Sequence, residues 1–352
     1  MIETSCSLKS FNSFAIDAKA EQLFHLKTRS QLPELLAHIK TTIAQNKPVL
    51  ILGGGSNILF CQDFAGLIIR VELSGIEITE TQDSYLLKVG AGEDWHDLVT
   101  DCINKGIDGL ENLALIPGVI GAAPVQNIGA YGSEFKDFCE SVEYIDLDSG
   151  ELKTLTTEQC QFAYRDSIFK TEALKNALIT QVSLRLTKKW SPAHRYGALN
   201  NLNESEPITA KSIYQSVCDI RNEKLPDPDV LGNAGSFFKN PVVNQSIADE
   251  LLAKFPNMPH YPQSNGNVKL AAGWLIDQAQ LKGHTIGGAA VHKQQALVLV
   301  NLGGATALDI IKLAALVRDR VKTKFNVQLE HEVRFIGALG ETNLAEVLQC
   351  LN

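Results

Sequence analysis

The chain has 352 residues, 45% of them hydrophobic and 20% charged, with a formal net charge of −8. That length suggests two or three domains, and that composition excludes a disordered chain. The acidic balance argues against nucleic acid or an anionic membrane as partner, so an anionic substrate would need a local cluster of Lys and Arg. The first twenty residues show no basic stretch followed by an apolar one, so no signal peptide is expected. No run reaches the ~18 apolar residues of a membrane span. The seven cysteines (Cys6, Cys61, Cys102, Cys139, Cys160, Cys218 and Cys350) are scattered without a C-x-x-C, which suits reduced thiols in a cytoplasm. The eight histidines show no zinc-ligand spacing, so no metal is expected.

In chain order, "EQLFHLKT" reads as a strand. Ser30 is placed to cap a helix whose apolar positions Leu32, Leu35, Leu36, Ile39 and Ile43 recur at helical spacing. "PVLILGGGSN" is an apolar strand running into glycines, and "GLIIRVEL" is the next strand. "SYLLKVGAG" is a strand, followed by a helix over "DWHDLVTDCINKG" closed by Gly106. "EYIDLDSGELKTL" reads as a hairpin turning at Asp148 to Gly150, and "TAKSIYQSVCDIRNEK" as a helix. A composition shift at "LPDPDVLGNAG" opens a further unit with helices over "QSIADELLAKF" and "KLAAGWLIDQAQLKG". A strand over "QALVLVNLGG", a long helix after the Thr306/Asp309 capping box and a strand over "VQLEHEVRFIG" complete it. Strands alternating with helices argue for mixed α/β units.

Two glycine-rich stretches carry chemistry. Gly53, Gly54, Gly55, Ser56 and Asn57 end a buried strand, where consecutive glycines let backbone N–H groups converge on an anion. The pattern is neither G-x-G-x-x-G nor a Walker A, and a tight turn would look the same. The second stretch, Ile116 to Tyr131, is bare at Gly118, Gly121, Ala122, Ala123, Gly129 and Ala130, which suits close approach to a large, flat, phosphorylated ligand. A third motif, "LGNAGSFFKNP", sets Ser236 between small residues and two phenylalanines. It reads either as a shielded proton donor or as a turn residue.

"ILGGGSNILF", "IPGVIGAAPVQNIGAYG", "YRDSIFK", "GNAGSFFKNP" and "LEHEVRFIG" occur in this order. Together they resemble the UDP-N-acetylenolpyruvoylglucosamine reductases, flavoenzymes of peptidoglycan precursor synthesis and so of cell wall biogenesis, cell shape and cell division. The resemblance spans about Asn12 to Gly337, and "AHRYGAL" looks like the substrate loop of the longer form. It implies an α+β chain: two FAD-binding domains of the vanillyl-alcohol oxidase type and a C-terminal α+β substrate domain. The expected domains are 1–72, which 337–352 could complete, 73–221 with a substrate loop around 190–200, and 222–336. The implied activity is NADPH-dependent, FAD-mediated reduction of UDP-N-acetylglucosamine enolpyruvate to UDP-N-acetylmuramate by a cytoplasmic monomer.

By the same resemblance, Arg165 faces the substrate carboxylate, Glu332 stands at the same end, and Ser236 protonates the carbon bearing the ether. A guanidinium can donate two parallel hydrogen bonds to the anion that develops there. Strand alternation puts Glu330, Glu332 and Arg334 on one face and does not separate the two glutamates; the resemblance selects Glu332. Expected FAD contacts are Gly53, Gly54, Gly55, Ser56, Asn57, Pro117, Gly118, Gly121, Gly129, Ala130 and Tyr131. Some members carry Ser-Ser where this chain has Ala122 and Ala123, which leaves backbone N–H groups as the expected donors. Lys224 and Lys269 are candidate cations for the diphosphate, and Tyr196, Lys224, Asn240 and Gln295 match substrate-contacting positions. An FAD oxidase of an alcohol, or a colourless UDP-sugar-binding protein, are the competing functions.

Overall fold

The computed structural model describes residues 2–195, 197–202 and 207–349. The chain forms two compact units. One is built from Gln22–Gly54 and Gly66–Glu223 with the first residues of the chain; the other from Ser5–Glu21, Gly55–Ala65 and the residues from Lys224 on.

The first unit holds a five-stranded antiparallel sheet, in the order Leu152–Thr156, Cys139–Asp146, Ala177–Thr187, Ser84–Gly90 and Ile76–Glu80. Alternation along its central strand puts Leu178, Val182 and Leu184 in the core. A four-stranded sheet runs Ile2–Ser7, Lys19–Leu26, Phe64–Val71, Val49–Leu52, the last two parallel. The helix Trp95–Asn104 begins where Asp94 accepts the Asp97 N–H at 3.0 Å, and it buries Trp95, Leu98, Val99 and Cys102 along one face. The turn that follows is left-handed at Gly106, φ 68°.

The helix Leu32–Ala44 differs from expectation at both ends. Thr28 and Gln31 form the capping box, across a short 3-10 turn that contains Ser30. Leu35 and Ile39 are buried, whereas Ile43 is 54% exposed, because the last turn rotates the stripe off the core.

The second unit holds three small sheets. Asn233–Ser236, Val298–Asn301, Ala289–Val291 and Thr285–Ile286 form one; Val242–Asn244, Asn267–Leu270 and His260–Pro262 another; Gly340–Thr342, Arg334–Gly337 and Ile58–Phe60 the third. The helix Ala307–Phe325 carries the expected Thr306/Asp309 capping box and ends at left-handed Asn326. The helix expected from Lys269 starts only at Ala272, since Lys269 and Leu270 pair in a strand. The expected last strand is regular only over Arg334–Gly337. Phe237 and Phe238 are fully buried; Phe237 packs at 6.3 Å from Phe14 and 5.9 Å from Phe335.

Candidate active site

In the first unit the two glycine stretches meet. A Cβ on Gly53 would stand 2.8 Å from Val119 Cγ2, and one on Gly54 2.9 Å from Gly118 Cα. Gly121 packs as tightly on Ala91, whose Cβ would lie 2.7 Å away. Bare backbone is therefore what lets the strand end and the loop share one place, and that cradle fits a flat phosphorylated cofactor. The N–H groups of Ala122 and Ala123 are not available to it: they donate to Val119 O at 2.9 Å and Ile120 O at 3.1 Å in a short 3-10 turn. Gly55 belongs to the second unit, where a Cβ would fall on the Phe11 carbonyl, so packing alone requires glycine there.

Around this cradle the backbone is strained. Leu115, Asn127, Tyr131 and Arg165 have φ of 56°, 43°, 48° and 54°, a region that side chains other than glycine rarely occupy. Arg165 sits in a tight turn closed by Ala163 and Asp166. Its Nη2 donates to Gly129 O at 2.9 Å and its guanidinium carbon lies 5.5 Å from the Tyr164 ring centre. Buried Asn127 ties this turn to the glycine loop: its Nδ2 donates to Ala163 O and Glu134 Oε2, and its Oδ1 accepts the Lys136 N–H. Buried Asn112 donates to the carbonyls of Tyr131 at 2.9 Å and Ala193 at 2.6 Å. Trp190 Nε1 donates to the buried Glu111 at 2.6 Å. These bonds anchor the segment leading to Tyr196, which itself lies outside the described residues.

Arg221 escaped the sequence reading. It extends the buried stripe of Ile213 and Val217 on the helix Ala210–Lys224, a place where a cation needs a reason. Its Nη2 donates to Leu115 O at 3.0 Å, and its buried Nε has no hydrogen bond among the described residues. Burial pushes the guanidinium below its ordinary value, Tyr131 and Cys218 oppose that, and the Arg165 charge adds to it. Burial likewise raises the Tyr131 phenol, against the pull of Arg221. A half-buried cation near a second one is a place where an anionic ligand would be stabilised.

In the second unit, Ser236 lies opposite Val298, and the next residue's N–H donates to Leu297 O at 2.8 Å. On the other side, Glu332 N–H donates to Phe237 O at 2.8 Å and Lys239 N–H to Glu330 O at 2.9 Å, with Phe238 bridged to His331. Ser236 and Glu332 are thus held on adjoining stretches of backbone. Asn57 Nδ2 donates to Glu332 O at 3.3 Å, and Arg334 N–H to Asn57 O at 3.0 Å. Glu330 is 76% exposed beside Lys239, while Glu332 is half-buried. Gly235, at φ 67°, faces open space, whereas Gly232 abuts the Phe14 carbonyl, 2.6 Å from where a Cβ would be. Asn240 and Gln295 meet at the start of the helix Ala272–Gln278: Asn240 Oδ1 accepts the Ala272 N–H at 2.9 Å, and Gln295 Oε1 lies 3.5 Å from a Cβ on Gly273. Lys224 is exposed at the end of its helix.

Comparison with known proteins finds two family models in the chain. Residues 23–156 match the family model of an FAD binding domain, and residues 227–336 that of the C-terminal domain of UDP-N-acetylenolpyruvoylglucosamine reductase. A solved reductase of that name from Thermus caldophilus aligns over 95% of this chain and 98% of its own, with TM-score 0.64 and 26% identity. The reductases of Photobacterium profundum and Salmonella typhi are each 53% identical, over 97% of this chain and 98% of theirs. Identity at that level, over 97% of the chain, means that the chain belongs to the UDP-N-acetylenolpyruvoylglucosamine reductase family.

Proposed function

We propose that Arg165, Ser236 and Glu332 divide the protein's part of the reduction among them. The chain is an FAD-dependent oxidoreductase that converts UDP-N-acetylglucosamine enolpyruvate to UDP-N-acetylmuramate in peptidoglycan synthesis. FAD, when bound, supplies the hydride that it takes from NADPH. Gly53, Gly54, Pro117, Gly118, Gly121, Gly129, Ala130 and Tyr131 would hold it, with Arg221 as a cation among them. Arg165 binds the substrate carboxylate through its fork and stabilises the charge that develops there. Glu332 orients that same end, and Ser236 gives its proton to the carbon that bears the ether. Lys224, Asn240, Gln295 and Tyr196 bind the UDP-sugar, Asn240 through its amide nitrogen because its oxygen is taken by Ala272.

In this reading 1–72 and 73–221 serve FAD and 222–336 serves the substrate. The protein works as a monomer in the cytoplasm; no helix among the described residues is long and apolar enough to cross a membrane. The observation that supports this assignment of roles is the pair of backbone bonds, Glu332 to Phe237 and Lys239 to Glu330, that joins the stretches bearing Ser236 and Glu332. The test is a purified protein that is yellow, is bleached by NADPH without oxygen and recovers its colour with the enolpyruvyl substrate. A colourless protein, or one whose colour returns with oxygen but not with that substrate, overturns it.

A further inference from the structure

His96 belongs to none of the motifs discussed above. It is the second residue of the helix Trp95–Asn104. Its ring lies parallel to that of Tyr214, 6.0 Å between centres and 10° between planes. Thr100 Oγ1 donates to His96 O at 2.9 Å, so the Tyr214 hydroxyl is the donor in its own 2.9 Å bond to Thr100. The stacked ring is thereby fixed between two helices.

On its other side, His96 Nδ1 lies 3.1 Å from the Leu115 N–H. An amide can only donate, so Nδ1 accepts and the neutral ring carries its proton on Nε2. Leu115 is left-handed, at φ 56°, a conformation that side chains other than glycine rarely adopt. Its carbonyl receives Arg221 Nη2 at 3.0 Å, and the chain then runs through Ile116 and Pro117 into Gly118 at the cradle.

We propose that His96 is a positioning residue for the cofactor half of the site: a neutral acceptor that holds Leu115 in its left-handed form, and with it Arg221 and the turn at Pro117–Gly118. This role rests on the reading of that turn and Arg221 as cofactor-facing, and it extends control to a residue that touches neither cofactor nor substrate. A proton on Nδ1 would turn acceptor into donor, set it against the Leu115 N–H and release the turn. Burial disfavours that proton most, Asp94 and Asp97 on the same helix favour it, and Arg221 from the facing helix disfavours it. Cofactor affinity therefore holds at neutral pH and falls on the acid side of the ordinary imidazole value.

The test is titration of FAD into the apoprotein, followed by quenching of flavin fluorescence, at neutral pH and at about pH 5.5, one unit below that value. His96→Phe keeps the stack and strands the Leu115 N–H; its affinity should fall about tenfold, the loss expected for one unsatisfied buried donor. His96→Asn puts an amide oxygen where Nδ1 stands and takes no proton. It should stay within about threefold of the unsubstituted protein, no more than about half of that loss in free energy, and lose the acid-side fall. Nitrogen-15 NMR of the apoprotein should show the Nε2–H tautomer at His96. The proposal is overturned if Arg221→Met weakens FAD while His96→Phe does not, if His96→Asn is as weak as His96→Phe, or if the proton sits on Nδ1. Should neither Arg221→Met nor His96→Phe affect FAD, the cofactor-facing reading falls and takes this role with it.

Discussion

Arg165 Nη2 donates to the Gly129 carbonyl at 2.9 Å, and a Cβ on Gly129 would stand only 3.3 Å from Nη1 of the same guanidinium. That Cβ would also lie 2.9 Å from Ser133 O and 3.0 Å from Glu134 Cγ. Gly129→Ala should thus displace the fork while the fold survives. We expect kcat, measured per bound FAD, to drop by at least about tenfold, the scale of roughly 1.4 kcal/mol of misplaced charge stabilisation. Arg165→Lys should be worse, since a single ammonium cannot make the bidentate contact. Near-normal turnover in both would remove Arg165 from the carboxylate.

Ser236→Ala removes one oxygen beside Gly235, in open space, and leaves buried Phe237 and Phe238 in place. The variant should fold, bind FAD and be bleached by NADPH at the normal rate. Recovery of colour with the enolpyruvyl substrate should slow by about 10²–10⁴, roughly 3–5 kcal/mol of barrier. Rapid-mixing absorbance separates the two halves; equal slowing of both would make Ser236 a structural residue.

Arg221→Met exchanges a half-buried cation for an apolar chain of similar length. Among the described residues its one hydrogen bond is to a carbonyl, so the apoprotein should lose little stability in a thermal melt. FAD affinity should nevertheless fall on the order of tenfold to a hundredfold, the worth of a charge-assisted bond. A destabilised apoprotein with unchanged affinity would show Arg221 to be structural.

Gly54→Ala and Gly235→Ala make a matched pair. At Gly54 the added carbon meets backbone, Gly118 Cα at 2.9 Å, which cannot give way without opening the cradle. At Gly235 it meets nothing within 4 Å, and the penalty is that of φ 67° alone, about 1–2 kcal/mol. Purified Gly54→Ala should therefore carry little FAD, while Gly235→Ala should keep its FAD and melt a few degrees lower. The reverse ranking would refute the cradle.

Burial pushes the thiols of Cys61 and Cys102 up to about 12. Only the thiolate is nucleophilic, so neither should alkylate in the native protein near neutral pH. Both should label once denaturant is added, by peptide mass mapping. Native labelling of Cys102 would contradict its burial.

Much of this was legible in sequence because it is local. The period of Trp95, Leu98, Val99 and Cys102, the Thr306/Asp309 box and the Asp148–Gly150 turn each depend on neighbours a few residues away. The five ordered motifs pointed to the family in the same way. What escaped depends on distant partners: Arg221 meets Leu115 across 106 residues, Asn112 meets Ala193 across 81, and His96 meets Leu115 across 19. Nor could spacing distinguish Gly232, closed by the Phe14 carbonyl, from Gly235, which is open. The stretch before Arg334 alternates like a strand, yet it only bridges to the Ser236 segment at Phe238–His331.

The chain passes back and forth between its two units, at residues 21–22, 54–55, 65–66 and 223–224 among other places. Synthesis, however, is vectorial. Ile58–Phe60 leaves the ribosome long before Arg334–Gly337, its parallel neighbour, and Asn57 meets Glu332 across 275 residues. At about 5–20 residues per second, that strand waits roughly 15–55 s with its edge unpaired. Residues 66–223 can bury their own core in that time, while the unit that bears Ser236 cannot close until Arg334–Gly337 has been made. The unit that bears Ser236 is then the last to be completed, and a ribosome stalled before Arg334 releases a chain whose other unit is formed and whose aggregation-prone strand edge is still open.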